Sequence, residues 1–195
     1  MQRMNQQKLT NFFQKSAKIV PQVLPNNNPR STTPKPRTEF LEPTAKPCEI
    51  PCPESDIANP YYCMMFDGCS KGNPGPAGAG AVIYANNVEI WSRAIFVGNR
   101  ETNNLAEYTG MLLGLNEAVR RNIRVLTVKG DSEVVIKQML GKYKVKSENL
   151  LDIYEQAKDL EKHFDKIDYI HVYRHLNARA DALSNEGLAK VITRK

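Results

Sequence analysis

DGCSKGNPGPAGAG, at Asp67 to Gly80, sets an acid at the end of an apolar run and follows it with a loop dense in glycine. Gly68, Gly72, Gly75, Gly78 and Gly80 permit positive φ and a close approach of backbone to a ligand. Alone, such a turn reads equally as a tight hairpin, so its meaning depends on its flanks. Upstream, YYCMMFD (Tyr61 to Asp67) is a short strand-like run. Downstream, AGAVIYA and VEIWSRAIF are separated by Asn86-Asn87, a hairpin-like break, and the three runs read as antiparallel strands. Leu105, Tyr108, Leu112, Leu115 and Val119 then step by three and four, which predicts an amphipathic helix from about Asn103 to Arg121. RVLTVKGD reads as a buried strand ending in Asp131, and SEVVIKQML as a short helix. SENLLDIYEQAKDLEKHF reads as a longer helix, DYIHVYR as a fifth strand, and a last helix covers roughly Ala178 to Val191. The order β-β-β-α-β-α-α-β-α requires parallel pairing where helices separate strands, so the fold class is α/β with a mixed sheet.

Four acids occupy the ends of these elements. Asp67 ends the first strand, and Glu107 sits in the early turns of the first long helix, beside its apolar stripe rather than in it. Asp131 ends the fourth strand, and Asp181 lies in the first turns of the last helix. In an open α/β sheet, ligands gather at the carboxyl ends of strands. Four carboxylates converging there repel one another unless cations sit among them. Oxygen-only ligation favours Mg²⁺ or Mn²⁺. Two such ions about 4 Å apart activate a water and stabilise the leaving oxygen of a phosphodiester. By position alone the same acids read equally as surface groups; the glycine loop beside Asp67 favours convergence on a site.

The 195 residues suit one domain with a tail, and 41% hydrophobic content is enough for a core. No run approaches the roughly 18 apolar residues of a spanning helix, so no membrane role is expected. The N-terminus has neither the apolar run nor the small-residue cleavage site of a secretory signal, which predicts an intracellular protein. Residues 1 to 38 hold seven Lys or Arg and no acid, whereas residues 39 to 195 carry 20 basic and 21 acidic groups. The net charge of +6 is thus a property of the tail, and it suggests an acidic partner or a targeting role. Ten of the twelve prolines fall between Pro21 and Pro60, marking a disordered linker over 19–58 and a folded domain over 59–195. Cys48, Cys52, Cys63 and Cys69 are separated by three and five residues within each pair, which does not match paired zinc ligands and reads as reduced thiols.

The segments DGCSKGNPGPAGAGAVIY, TNNLAEYTGMLLGL, VKGDSEVVIKQM and YRHLNARADALSNEGL together resemble type 1 ribonuclease H, over about Asn59 to Lys195. The resemblance implies a ribonuclease H-like fold, a five-stranded mixed sheet flanked by helices. It implies Mg²⁺-dependent endonucleolytic cleavage of the RNA strand in an RNA–DNA hybrid, leaving 5′-phosphate and 3′-hydroxyl ends. Carried over by motif, Asp67, Glu107, Asp131 and Asp181 would be the catalytic acids and bind two Mg²⁺ ions, with Mn²⁺ as a substitute. Asn73 and Asn103, with the backbone of Gly68 and Cys69, would sense the ribose 2′-hydroxyls that distinguish RNA from DNA. Asn103 also reads as a helix N-cap.

The chain departs from the bacterial pattern in three places. Glu133 stands where bacterial enzymes place a glutamine, and an ionised acid cannot donate a hydrogen bond. The basic protrusion is absent; in its region GKYKVKSEN offers Lys142, Lys144 and Lys146, either as phosphate contacts or as a solvated charged face. The histidine loop before the last aspartate is short, YRHLNARAD. There His175 or Arg174 would assist proton transfer or product release, or be an ordinary strand-end residue. His163 and His171 read as surface and sheet residues. The chain resembles the short form lacking both handle and loop, and it contains no N-terminal hybrid-binding domain of the eukaryotic kind.

Affinity then has to come from elsewhere, and the tail offers a source. Gln6-Gln7-Lys8-Leu9-Thr10-Asn11-Phe12-Phe13 matches Q-x-x-h-x-x-a-a, with h aliphatic and a aromatic. It resembles the box by which replication and repair proteins bind the sliding clamp, PCNA. Leu9, Phe12 and Phe13 fall at i, i+3 and i+4, so one helical turn presents them together to an apolar groove while Gln6 bonds at its edge. A mitochondrial transit peptide is the competing reading, since the segment lacks acids, although it holds few arginines and serines. The sequence thus predicts a clamp peptide in residues 1–18, a tether in 19–58, and a monomeric nuclease, nuclear in a eukaryote with the mitochondrion as runner-up. The rival readings are a non-catalytic module that binds hybrids or the clamp, and another nuclease of the same superfold that acts on DNA.

Overall fold

The computed structural model describes residues 60–190. The clamp-like segment, the proline-rich linker, Cys48 and Cys52 lie outside the described residues. β1 (Tyr62–Ser70), β2 (Gly75–Ala85) and β3 (Val88–Glu101) form an antiparallel meander. Asn86 and Asn87 turn β2 into β3 with φ of 48° and 65°, the left-handed conformation that a two-residue hairpin needs and Asn tolerates. α1 (Asn103–Arg120) follows, then β4 (Val125–Gly130), α2 (Glu133–Met139), α3 (Glu148–Glu161), β5 (Lys166–His171), a 3₁₀ turn (Arg174–Leu176) and α4 (Ala178–Ala189). Every expected strand and helix is present in the expected order.

The sheet runs β3-β2-β1-β4-β5. β4 pairs in parallel with both β1 and β5, so the sheet is mixed, with β1 at its centre. Successive side chains of a strand point to opposite faces. On β1, Met64 and Gly68 face α1, while Cys63 and Met65 join Val82, Ala94, Val172, Ala180 and Leu183 on the α4 side. α1 packs on β1 and β2 and against α3; α4 covers β1, β2 and β3. Met64, Phe66, Tyr108, Met111, Leu112, Leu115 and Val128 are fully enclosed.

The glycines act differently from the sequence expectation. Within 67–80 only Gly72 has positive φ (84°). Gly68, Gly78 and Gly80 are instead packing positions. A Cβ on Gly68 would stand 2.1 Å from the backbone of Ala106 and Glu107 in α1. On Gly78 and Gly80 it would stand 2.2 and 2.4 Å from Ser184 and Leu183 in α4. The missing side chains let α1 press onto β1, which carries Asp67, and α4 onto its neighbour β2, and these contacts position the site.

Candidate active site

Parallel pairing of β1 with β4 ends at Phe66↔Gly130, although β1 continues to Ser70 against β2. Asp67 therefore sits inside its strand, at the first position where β4 has let go, and not at the strand's end as the sequence suggests. The open edge left there receives carboxylates from three elements. Asp67, Glu107 and Asp131 each offer an oxygen, all within 4.8 Å of one another. Asp131 follows directly on β4. Glu107 comes from α1 and is only 5% exposed, as is Asp67. Glu107 thus lies on the buried face of α1, contrary to its expected place beside the stripe. Contact of α1 with β1 through Gly68 brings residues 106–115 of the helix inward.

The electrostatics follow from this geometry. Burial, with the neighbouring charges of Asp131 and Asp181, raises Asp67 from 3.8 to about 6 against the opposing hydrogen bond from Ser184. Burial first, then Asp67 and Asp131, pushes Glu107 well above the ordinary carboxylate range. Glu107 Oε2 is buried without a hydrogen-bond partner. A buried acceptor of this kind costs free energy unless something binds it. Three clustered oxygens, two acids resisting ionisation and one unpartnered oxygen fit a hard divalent cation.

Asp181 is not in that group. Its Oδ1 accepts from Arg174 Nη2 at 2.7 Å and its Oδ2 from Asn185 Nδ2 at 3.2 Å, though its charge still reaches Asp67. Two supporting residues were not legible as site residues in the sequence. Asn177 is fully buried, and its Nδ2 donates to Phe66 O at 2.9 Å and to Asp131 Oδ1 at 2.7 Å. Ser184, also fully buried, donates to Asp67 Oδ2 at 2.5 Å. The available signal was a serine within the apolar stripe of α4, four residues after buried Ala180, where a polar group needs a partner.

The two asparagines meet at the other end of the loop. Asn73 Oδ1 accepts from Asn103 N at 3.0 Å, and Asn103 Oδ1 accepts from Ser70 N at 3.2 Å. The N-cap of α1 is Thr102, whose Oγ1 accepts from Leu105 N, so Asn103 is the first helical residue and not the cap. Gly68 is buried and Cys69 partly exposed between the acids and this pair. Glu133 is exposed at the start of α2 and pairs with Lys137 at 2.5 Å, which holds its carboxyl below the usual range. Lys142, Lys144 and Lys146 are exposed. His163 stands at the end of α3 with Nδ1 3.3 Å from Leu160 O.

A mixed sheet in this order, with clustered acids where the central parallel pair ends, defines the ribonuclease H-like class of proteins. Residues 65–187 match the family model described as reverse transcriptase-like. A ribonuclease H of Pseudomonas fluorescens is 34% identical over 144 residues, spanning 66% of this chain and 90% of the relative. The chain belongs to the ribonuclease H family. A bifunctional protein of Mycobacterium tuberculosis is 42% identical over 123 residues, 63% of this chain. The chain matches only about a third of that relative's length (34%). The solved N-terminal RNase H domain of that protein superposes with a TM-score of 0.66 at 38% identity, covering 69% of this chain and 97% of the domain. A compost-derived ribonuclease H1, solved in complex with an RNA/DNA hybrid, gives a TM-score of 0.63 at 30% identity, covering 68% of this chain and 99% of its own.

Proposed function

We propose that this chain is a Mg²⁺-dependent endonuclease that cuts the RNA strand of RNA–DNA hybrids and leaves 5′-phosphate ends. The observation that carries the reading is the buried triad Asp67, Glu107 and Asp131, within 4.8 Å, with one Glu107 oxygen unpartnered. These three acids would hold two Mg²⁺ ions, or Mn²⁺, with Asp181 completing the set of four. When bound, the ions supply an activated water and stabilise the leaving oxygen of the phosphodiester. The protein's own residues prepare the site. Asn177 fixes the direction of the Asp131 carboxylate, and Ser184 fixes that of Asp67. Asn73 and Asn103, each with its Oδ1 committed to a backbone N–H, direct their amide groups at the sugar edge of the RNA strand, with the Gly68–Cys69 backbone beside them. The pairing of hybrid with relative in the solved compost enzyme supports this substrate.

Residues 59–195 form the catalytic domain, acting as a monomer. Residues 1–18, with Gln6, Leu9, Phe12 and Phe13 as contacts, bind the sliding clamp PCNA, and 19–58 act as a tether that raises local concentration on replicating or repaired DNA. In a eukaryotic host such a protein would act in the nucleus, with the mitochondrion as runner-up. The deciding experiment is cleavage of an end-labelled hybrid in Mg²⁺ by wild type and Asp131→Asn, with duplex DNA and duplex RNA as controls. Wild type is expected to cut the RNA of the hybrid alone and the variant to lose that activity. A folded wild type that cuts nothing would overturn the reading.

A further inference from the structure

From the last residue of β5 onward the chain places three aromatic rings beside the acids, and the hydrolysis described above uses none of them. His171 closes β5, with Nε2 3.2 Å from the Asp131 carbonyl. Tyr173 meets the His171 ring edge-on, with centroids 6.3 Å apart and planes at 67°. His175 lies almost parallel to Tyr173, at 11° and 6.0 Å. Alternate residues thus carry a ladder of rings outward from Asp131, with Arg174 between them reaching to Asp181. Tyr173 is 72% exposed, more than any other large apolar side chain among the described residues. Its ring is held in place on two sides and still presents most of its surface to water.

The chemistry of such a surface selects its ligand. A flat π face stacks with a flat π face, and every nucleobase has one, so recognition is tolerant of sequence. Bases inside a hybrid or a duplex already have both faces covered by their neighbours. Apart from the outer face of a terminal pair, an unpaired base is what can offer a face to Tyr173. We propose that Tyr173, framed by His171 and His175, is a stacking subsite for an unpaired base where a hybrid gives way to a single strand. The proposal rests on the nuclease reading for the nature of the nucleic acid near the acids. It adds a preference for hybrids with single-stranded extensions over blunt ones.

The test is equilibrium binding in Mg²⁺ by fluorescence anisotropy, in a Glu107→Gln background so that the strand is not consumed. The probes are one short hybrid sequence, blunt or extended by unpaired nucleotides on either strand and at either end. At least one extended hybrid is expected to bind more tightly than the blunt one. Tyr173→Ala is expected to remove that gain, a loss of roughly 5-fold or more, while Tyr173→Phe retains it. A 2-aminopurine placed in the extension reports stacking directly: its fluorescence should be quenched by the Tyr and Phe forms and not by the Ala form. Equal binding of blunt and extended hybrids, or an extension gain that survives in Tyr173→Ala, would overturn the subsite. Cleavage of the blunt hybrid by wild type decides the nuclease reading separately, so failure of one is distinguishable from failure of the other.

Discussion

Asp67 is a carboxyl in a place that disfavours carboxylates, and its pKa near 6 turns this into a statement about stability. The folded value lies above the ordinary 3.8, so the fold binds this proton more tightly than the unfolded chain does. The associated stabilisation is complete below about pH 4 and is lost as pH rises through about 6. A shift of about two units corresponds to about 3 kcal/mol for this group, and Glu107 acts in the same direction. Asn at 67 imitates the protonated acid at every pH. In metal-free buffer, Asp67→Asn is therefore expected to match wild type near pH 4 and to exceed it near pH 7 by up to about 3 kcal/mol. Urea unfolding of both proteins across that range checks this, and a difference independent of pH would reject it. Mg²⁺ should reverse the ranking near pH 7, because an ion that binds only the folded wild type stabilises it by mass action. Asn177 makes the complementary case. Its two hydrogen bonds tie Phe66 and Asp131 together, and Asn177→Ala would leave a buried carbonyl unpaired and the acid unguided. The expected cost is about 1–3 kcal/mol in urea unfolding, with Mn²⁺ affinity by calorimetry weakened about 10-fold or more. Unchanged Mn²⁺ affinity would reduce Asn177 to a purely structural role.

Elements were legible in the sequence where their signals are local. The step of Leu105, Tyr108, Leu112 and Leu115 marks α1, Asn86-Asn87 marks the hairpin, and the helices between strands force a mixed sheet. The approach of Asp67, Glu107 and Asp131 to one another agrees with the expected convergence near the carboxyl ends of β1 and β4, whereas Asp181 stands outside that group. The inward turn of Glu107 was not legible, because it depends on how α1 meets β1. That contact is made through Gly68 and Gly110: a Cβ on Gly68 would meet α1 backbone at 2.1 Å, and one on Gly110 would meet Asp67 O at 2.5 Å. Gly114, in the same helix, would meet only the side chain of Met64, at 2.2 Å from its sulfur. A flexible thioether can move and a strand backbone cannot. Gly68→Ala is thus expected to destabilise by about 3 kcal/mol or more, near the upper end of overpacking costs, and Gly114→Ala by clearly less. Thermal unfolding of the two variants measures the difference; equal losses would show that α1 can shift off the strand freely. Hybrid cleavage by the surviving Gly68→Ala protein should fall further than that of Gly114→Ala, since only the former displaces the backbone of Glu107. Asn177 was hidden from the sequence for a related reason. Its partner Phe66 is 111 positions away, and no periodicity reports a contact of that range.

At the scale of the molecule, charge is distributed unevenly along the chain. The basic excess belongs to the first 38 residues, while the remainder is near neutral. Among the described residues, arginines are largely committed: Arg120 and Arg121 to Glu117, Arg124 to Asp165, Arg174 to Asp181, and Arg179 to Glu89. A near-neutral domain has little net long-range attraction for a polyanion, and binding that depends on phosphate contacts weakens steeply with salt. Recruitment through a second, apolar contact is less sensitive to salt, and the proposed clamp peptide supplies one in Leu9, Phe12 and Phe13. In that proposal the polar, proline-rich residues 19–58 are the tether that would hold the nuclease at high local concentration near the clamp. Two consequences can be measured together on a primed template bearing an RNA–DNA hybrid, with PCNA loaded or omitted. At physiological salt, loaded PCNA is expected to accelerate cleavage by wild type about 10-fold or more. The Phe12→Ala, Phe13→Ala double variant should lose that acceleration and bind immobilised PCNA no better than residues 59–195 alone. Raising the salt should widen the ratio of rates with and without the clamp, because the direct phosphate contacts fade first. A ratio that stays at one for wild type, or that survives the double substitution, would assign the two phenylalanines to something other than the clamp.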